Sequence, residues 1–242
     1  MHLKKATGFT LVELIVVMAV ILILAGLAIP IASLVHKKSA RIRALHEIKQ
    51  MGAALESYKA DNGTYPDDSV TTAGNYTKGS TDNLDARQAN DPTTTTAGAQ
   101  FEYNGPNPNQ SPNLALYRAL SGDRNLDGSW DAKGTSDSSL DLDGNPLANP
   151  PATPSPSYMP FAGMLSFGSN GKVAALVDPF GYPYGYSTAY QGDLASGVNP
   201  PVHGYNSTYD LWSTAGNIGL ATDTQAQTTQ KRLQWIMNTQ SQ

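Results

Sequence analysis

Cysteine is absent from the 242 residues, which excludes a disulfide staple, a thiolate metal site and a cysteine nucleophile. Charge is sparse, with Asp, Glu, Lys and Arg making up 15% of the chain. No stretch combines basic and aromatic residues in the way that binds nucleic acid, so no nucleic-acid partner is expected. Histidine is scarce as well: His2, His36, His46 and His203 stand without an evident acid or nucleophile partner. No serine occupies a nucleophile-elbow motif, so no catalytic residue and no enzymatic activity are expected. Periodic apolar stretches are few beyond residue 60. Residues 67–160 hold ten of the sixteen prolines and a run of four threonines at 93–96, and only Leu114 to Leu120 suggests a helix. So long an excursion without regular structure is unusual in a compact domain.

What the chain does have is concentrated at its start. Residues 9–30, FTLVELIVVMAVILILAGLAIP, form an apolar run of 22 residues, enough at about 1.5 Å per residue to cross a hydrocarbon layer of about 30 Å. The run lacks the small-residue cleavage site that closes a secretory signal, so it reads as a membrane anchor. A plain anchor leaves Glu13 unexplained, because an acid within such a run is costly and implies a partner. Gly26 and Pro30 read as a kink in the membrane helix, with Pro30 removing a backbone donor. Residues 9–60 carry six Lys or Arg against three Glu, and residues 61–242 carry eight against seventeen acids. By charge count alone, Lys37, Lys38, Arg41 and Arg43 after the span outweigh Lys4 and Lys5 before it and would place the C-terminal side in the cytoplasm.

Lys4-Lys5-Ala6-Thr7-Gly8 followed by Phe9-Thr10-Leu11-Val12-Glu13-Leu14 resembles the class III leader of type IV pilins and type II secretion pseudopilins. The resemblance implies that a prepilin peptidase cuts between Gly8 and Phe9 and N-methylates Phe9. It also overrules the charge count, since the leader must face the cytoplasm to be processed. Cleavage would expose an α-ammonium on Phe9 with which Glu13 of a neighbouring subunit can pair at low dielectric, leaving the unpaired acid as the costly state. The family implies that Glu13 also serves recruitment into a filament.

Beyond Pro30, the apolar residues Ile42, Leu45, Ile48, Met51, Leu55 and Tyr58 recur at steps of three and four, the stripe of an amphipathic helix that ends near residue 60. Asn62-Gly63 supplies a left-handed stop and Pro66 forbids continuation. The string from Tyr58 to Pro66 resembles the junction between helix and head in pseudopilins. Further on, a hairpin is expected: a strand Val173 to Val177, a type I turn at Asp178-Pro179-Phe180-Gly181, and a return strand with Tyr182, Tyr184 and Tyr186 alternating. Tyr209 to Ser213 offers another strand, and Gln225 to Asn238 a short helix presenting Leu233, Trp235 and Ile236. The segments Asp178-Pro-Phe-Gly-Tyr-Pro-Tyr and Tyr209-Asp210-Leu-Trp212-Ser-Thr-Ala-Gly resemble the paired head signatures of major pseudopilins. The expected fold is α+β: a long N-terminal helical spine packed on a small antiparallel β-sheet head, with a long loop-rich insertion. The expected divisions are a leader at 1–8, a membrane and filament-core helix at 9–30, the amphipathic half of the spine at 31–60, the insertion at 61–160 and the head at 161–242.

Asp123, Asn125, Asp127, Ser129 and Asp131 place oxygen side chains at alternating positions around Gly128, the spacing with which a loop wraps Ca2+. The twelfth position holds Gly134 instead of a bidentate acid, and a weaker echo follows at Ser139 to Asn145. One Ca2+ is expected and no other cofactor. The pseudopilin resemblance puts calcium instead after the strand matching Tyr209 to Ser213, where Ala215 to Asp223 is poor in acids. Taken whole, the resemblance implies a subunit of a type II secretion pseudopilus, anchored in the inner membrane with its head in the periplasm. Its implied partners are like subunits, the prepilin peptidase, an inner-membrane assembly platform with its ATPase, and lipid. The alternatives are a surface type IV pilin for adhesion, motility or DNA uptake, and a tethered binding or degradative protein that uses the same leader.

Overall fold

The computed structural model describes residues 8–72, 75–87, 111–129, 139–142, 144–149, 156–217 and 224–238; within helices and strands, the side chains of 25–34, 70–72, 225 and 228 fall outside that description. The chain divides into two compact units, Met1–Ile42 and Arg43–Gln242.

Helix α1 (Leu11–Asn62) supplies the described part of the first unit from Leu11 onward and continues into the second. In the first unit its apolar side chains from Leu11 to Leu24 are half or more exposed. Among the described residues no helix is both long and apolar enough to cross a membrane. The backbone remains helical through Gly26 and Pro30.

The second unit is built around the last turns of α1. Ala44, Ile48, Met51 and Leu55 are buried there, at the helical spacing of three and four. The expected stripe was displaced by one position at its start. Ile42 is 61% exposed and Leu45 37% exposed, and the inner positions go to Ala44 and to an acid, Glu47, which is only 6% exposed. The helix stops as the sequence indicates: Gly63 takes φ +81° and its N–H closes on Lys59 O.

Strands β1 (Val70–Thr72) and β2 (Asn75–Thr77) form a small hairpin, followed by a single turn α2 (Ser80–Asn83). Asp68 accepts the N–H groups of Ser80 and Thr81 and so caps α2 from a distance. Helix α3 (Pro112–Ser121) falls where the apolar run at 114–120 predicts it. Ser111 caps it through Leu114 N, Pro112 occupies the first position, and Gly122 ends it at φ +79°. Every residue of α3 is buried, so the excursion contributes Leu114, Leu116 and Leu120 to the main core.

The expected hairpin around Asp178 resolves differently. Strand β3 (Leu165–Phe167) pairs antiparallel with β4 (Val173–Leu176) in one sheet. Strand β5 (Gly185–Ser187) pairs with β6 (Asp210–Ser213) in another. Across the Asp178 turn only the bridge between Val177 and Pro183 remains. The turn forms as expected, with Gly181 N–H donating to Asp178 O at 2.9 Å, but the two arms diverge into separate sheets. Pro183, without an N–H to donate, offers only half a ladder partner.

Helix α4 (Ala189–Ala195) follows β5. Near the C-terminus, α5 (Gln225–Arg232) opens with a capping box from Thr224 and Gln227. The expected helix to Asn238 stops at Arg232, because Ile236–Met237 form β7, the third strand beside β6. Ile236 is buried in that pairing and Trp235 against Trp212, while Leu233 is 76% exposed. The α+β class holds, with small antiparallel sheets around helices.

Candidate functional site

At the start of α1 the sequence Thr10-x-x-Glu13 folds on itself. The Thr10 N–H and hydroxyl both donate to Glu13 Oε2 at 2.8 Å, and Glu13 N–H returns a bond to Thr10 Oγ1 at 3.3 Å. This reciprocal arrangement satisfies helix-start N–H groups that would otherwise lack acceptors. Glu13 is therefore hydrogen-bonded within its own chain, where the sequence suggested a bare carboxylate. The neighbouring Phe9 is 86% exposed. A methyl group at Gly8 would meet nothing within 4 Å, so packing does not require glycine there. For Gly26 and Pro30 the side-chain surroundings lie outside the described residues.

The head-signature residues come together. Asp178 is buried, and its Oδ1 accepts N–H groups of Phe180 and Tyr182 at 2.9 Å while Oδ2 accepts the Ser213 hydroxyl at 2.5 Å. One carboxylate thus shapes the turn and fastens it to the end of β6. Burial pushes its pKa up, opposed by those bonds and reinforced by the charge of Glu47. Pro179 enters the turn at its second position and Gly181 leaves it at φ +85°. Asp210 is buried with its oxygens accepting from Tyr205 N, Asn206 N and Asn206 Nδ2 at 2.7–3.0 Å; burial raises its pKa too. Trp212 is fully buried and lies parallel to Trp235, ring centres 6.0 Å apart. It presses on Gly185, where a methyl group would sit 2.1 Å from the indole.

Three polar residues that the sequence reading passed over hold this arrangement. Asn113, on α3, is fully buried and donates to Leu176 O and Tyr184 O at 3.0 and 2.7 Å while accepting from Leu176 N at 2.6 Å. It spans the place where β4 and the residue leading into β5 part company. Glu47 takes Arg43 Nε at 2.7 Å and the Tyr184 hydroxyl at 2.5 Å. Burial and the adjacent Glu47 carboxylate raise the Tyr184 pKa far above the ordinary phenol range. Asp193 is fully buried and paired with Lys78 at 2.8 Å and His203 Nδ1 at 2.9 Å. His203, expected to stand alone, thus has an acid partner from α4, which no local spacing could reveal. Burial opposes ionisation of Asp193, yet Lys78, His203 and the N–H groups of Val202 and His203 hold its pKa well below the carboxylate range. In sum, five consecutive amides point at buried carboxylates: Val202 and His203 at Asp193, Gly204 at Asp85, Tyr205 and Asn206 at Asp210. The pattern anchors a loop, and His203 Nδ1 is held at 2.9 Å from the Asp193 carboxylate.

The calcium-like loop is described through Ser129, and Asp131 lies outside the described residues. Asp123 is buried, its Oδ2 accepting the Tyr117 hydroxyl and Gly128 N–H at 2.8 Å. Asn125 Oδ1 accepts Asp127 N–H and Asp127 Oδ1 accepts Ser129 N–H. Gly128 adopts φ +88°, the turn that such loops need at their sixth position. Among the described residues no three acidic or histidine side chains converge as a metal site.

Residues 3–29 match the prokaryotic N-terminal methylation motif. The chain is 38% identical over 64 residues to type II secretion system core protein G of Vibrio cholerae, covering 26% of this chain and 44% of that protein. It is 37% identical over 62 residues to core protein G of Pectobacterium carotovorum, covering 26% and 40%. With the Pseudomonas aeruginosa protein the identity is 38% over 66 residues, covering 27% and 46%. The chain thus spans less than half the length of these relatives, and no solved structure matches it. The chain therefore carries a prokaryotic N-terminal methylation motif at residues 3–29 and is similar, over about a quarter of its length, to type II secretion system core protein G.

Proposed function

We propose that this chain is a structural subunit of a type II secretion pseudopilus, without catalytic activity of its own. The observation that carries the reading is the conjunction, at residues 8–24, of a glycine that packing does not demand, the Thr10–Glu13 cap and an uncovered apolar helix surface. A prepilin peptidase that hydrolyses the Gly8–Phe9 bond leaves a free amine on Phe9, which is then N-methylated. In the processed chain Glu13 Oε2 holds both Thr10 donors, and Oε1 takes no bond among the described residues. An incoming ammonium from a neighbouring subunit meets a carboxylate already oriented by its own helix, so little side-chain entropy is lost on pairing.

In this reading residues 9–30 lie in the inner membrane before assembly, the head is periplasmic, and the assembly platform and its ATPase act as partners. The loop that begins at Asp123 would hold one Ca2+ through Asp123, Asn125, Asp127, Ser129 and Asp131, a reading supported by Gly128 at φ +88°. Deletion of the gene tests the function: loss of secreted protein with surface fibres intact supports it. Loss of surface fibres alone would make the chain a surface pilin, and loss of neither would make it a tethered protein of another kind. Retention of residues 1–8 in the purified membrane form, or filaments unaffected by Glu13→Ala, would overturn the assembly argument.

A further inference from the structure

A cavity of about 300 Å3 opens on the second unit between the end of α1, the segment that follows it, and α4. Its walls include Lys59, Tyr65, Asp67, Tyr76, Gln191 and Thr208. The secretion reading uses none of them. Its size is at the small end of ligand sites, enough for one ring and not for an extended chain.

The hydrogen bonds already made within the wall decide what it still offers. The Tyr65 hydroxyl donates to Glu56 at 2.9 Å, and the Tyr76 hydroxyl donates to Asp82. Both tyrosines therefore spend their donors on acids and present ring surface. Tyr65 is held in place edge-on by Tyr209, ring centres 4.8 Å apart. Lys59 Nζ sits 4.5 Å from the Tyr65 ring centre and 3.4 Å from its hydroxyl, leaving two ammonium hydrogens to donate. Among the described residues Asp67 Oδ2 accepts the Ser69 hydroxyl alone, which leaves it room for another donor. Gln191 gives its Nε2 hydrogen to Ser207 O, which leaves its carbonyl oxygen as an acceptor.

One ammonium and one carboxylate make the wall neutral overall. A cation would meet Lys59 and an anion would meet Asp67, whereas a neutral ring bearing several hydroxyls can accept from the first and donate to the second. Its C–H face suits a tyrosine ring, as amphipathic aromatics accept one apolar and one wet side. We propose that this cavity binds a single sugar ring, the end of a glycan, with Lys59, Asp67 and Gln191 reading its hydroxyls against Tyr65 and Tyr76.

The test is a titration of the 15N-labelled full-length chain, kept in a zwitterionic detergent that contains no sugar, with glucose, galactose, mannose and N-acetylglucosamine. At least one sugar should give saturable amide shifts at Lys59, Asp67 and Gln191 with a dissociation constant of about 1–10 mM. Lys59→Ala and Gln191→Ala, one half-buried and one exposed, should each weaken that binding about fivefold, the worth of one hydrogen bond, while thermal melting stays unchanged. The proposal is overturned if none of the four sugars saturates, or if both variants bind like the unmodified chain. It is equally overturned if acetyl-arginine amide or acetate produces the same shifts more tightly than any sugar, which would make the cavity a site for charge.

Discussion

Replacing Asn113 by leucine removes three hydrogen bonds from the interior at once, the two donated to Leu176 O and Tyr184 O and the one accepted from Leu176 N. At about 1 kcal/mol for each bond the loss is about 3 kcal/mol. Leu176 O retains Tyr184 N–H at 2.9 Å, but the Leu176 N–H loses the acceptor that Asn113 gave it. An orphaned buried donor adds about 1–3 kcal/mol, so a total of about 4–6 kcal/mol is expected. For a unit of this size that corresponds to a fall in melting temperature of about 8–24 °C. Thermal melting of the detergent-solubilised chain, followed through the tryptophan signal of the Trp212–Trp235 pair, measures it. Ser111→Ala serves as the internal scale, since it removes a single helix cap worth about 1 kcal/mol. If Asn113→Leu costs no more than Ser111→Ala, Asn113 is not the tie between the diverging strands, and the argument for two sheets held by one side chain fails.

Gly185→Ala places a methyl group against the Trp212 indole and should destabilise by more than about 3 kcal/mol, with loss of the coupled tryptophan bands in near-ultraviolet circular dichroism. Burial, reinforced by the charges of Asp67 and Asp68, raises Asp82 to about 6. A carboxyl whose folded pKa exceeds the unfolded value of about 3.9 binds its proton more tightly when folded, so its stabilisation is complete below pH 4 and lost as pH rises through 6. Asp82→Asn should therefore flatten the fall in stability between about pH 4 and 6, by up to about 3 kcal/mol, in chemical denaturation measured across that range. Asp193, held low by Lys78 and His203, acts in the opposite sense, contributing stability above about pH 4 that is lost on acidification. Asp127→Asn should weaken Ca2+ binding at least tenfold by titration calorimetry, because it removes one of the charged oxygens of the loop; unchanged affinity would remove this loop as the site. Glu13→Gln, which keeps an acceptor for Thr10 but not the charge, should abolish filament assembly while leaving cleavage after Gly8 intact, as read by mass spectrometry of the membrane form.

Much of the local structure was legible because it is decided by a few adjacent residues. Ser111-Pro112 and Gly122 bracket α3, Asn62-Gly63 ends α1, and Asp178 to Gly181 makes its turn. Each rests on a backbone preference or a side chain within four positions. The stripe of α1 was read almost correctly, but the choice between Ala44 and Leu45 depends on what lies opposite. Glu47 gave no local warning of its burial, since an acid on a helix flank is ordinarily solvated. Trp235 and Ile236 were read on a helix, where their apolar character suited either element; pairing with β6 decided for strand at Ile236, and Trp235 lies just before it, stacked on Trp212.

The sequence by itself determined the leader motif, the apolar run with its acid, the end of α1 and the turn chemistry, because these depend on composition and on neighbours along the chain. Only the tertiary structure decided that β4 and β5 part into different sheets, that Asn113 reaches Leu176 and Tyr184, and that Asp193 in α4 receives His203 and Lys78. The bonds Lys78–Asp193 and Asn113–Leu176 join residues 115 and 63 positions apart. A buried polar group must find a partner somewhere, and the sequence states the need without naming where the chain will bring the answer.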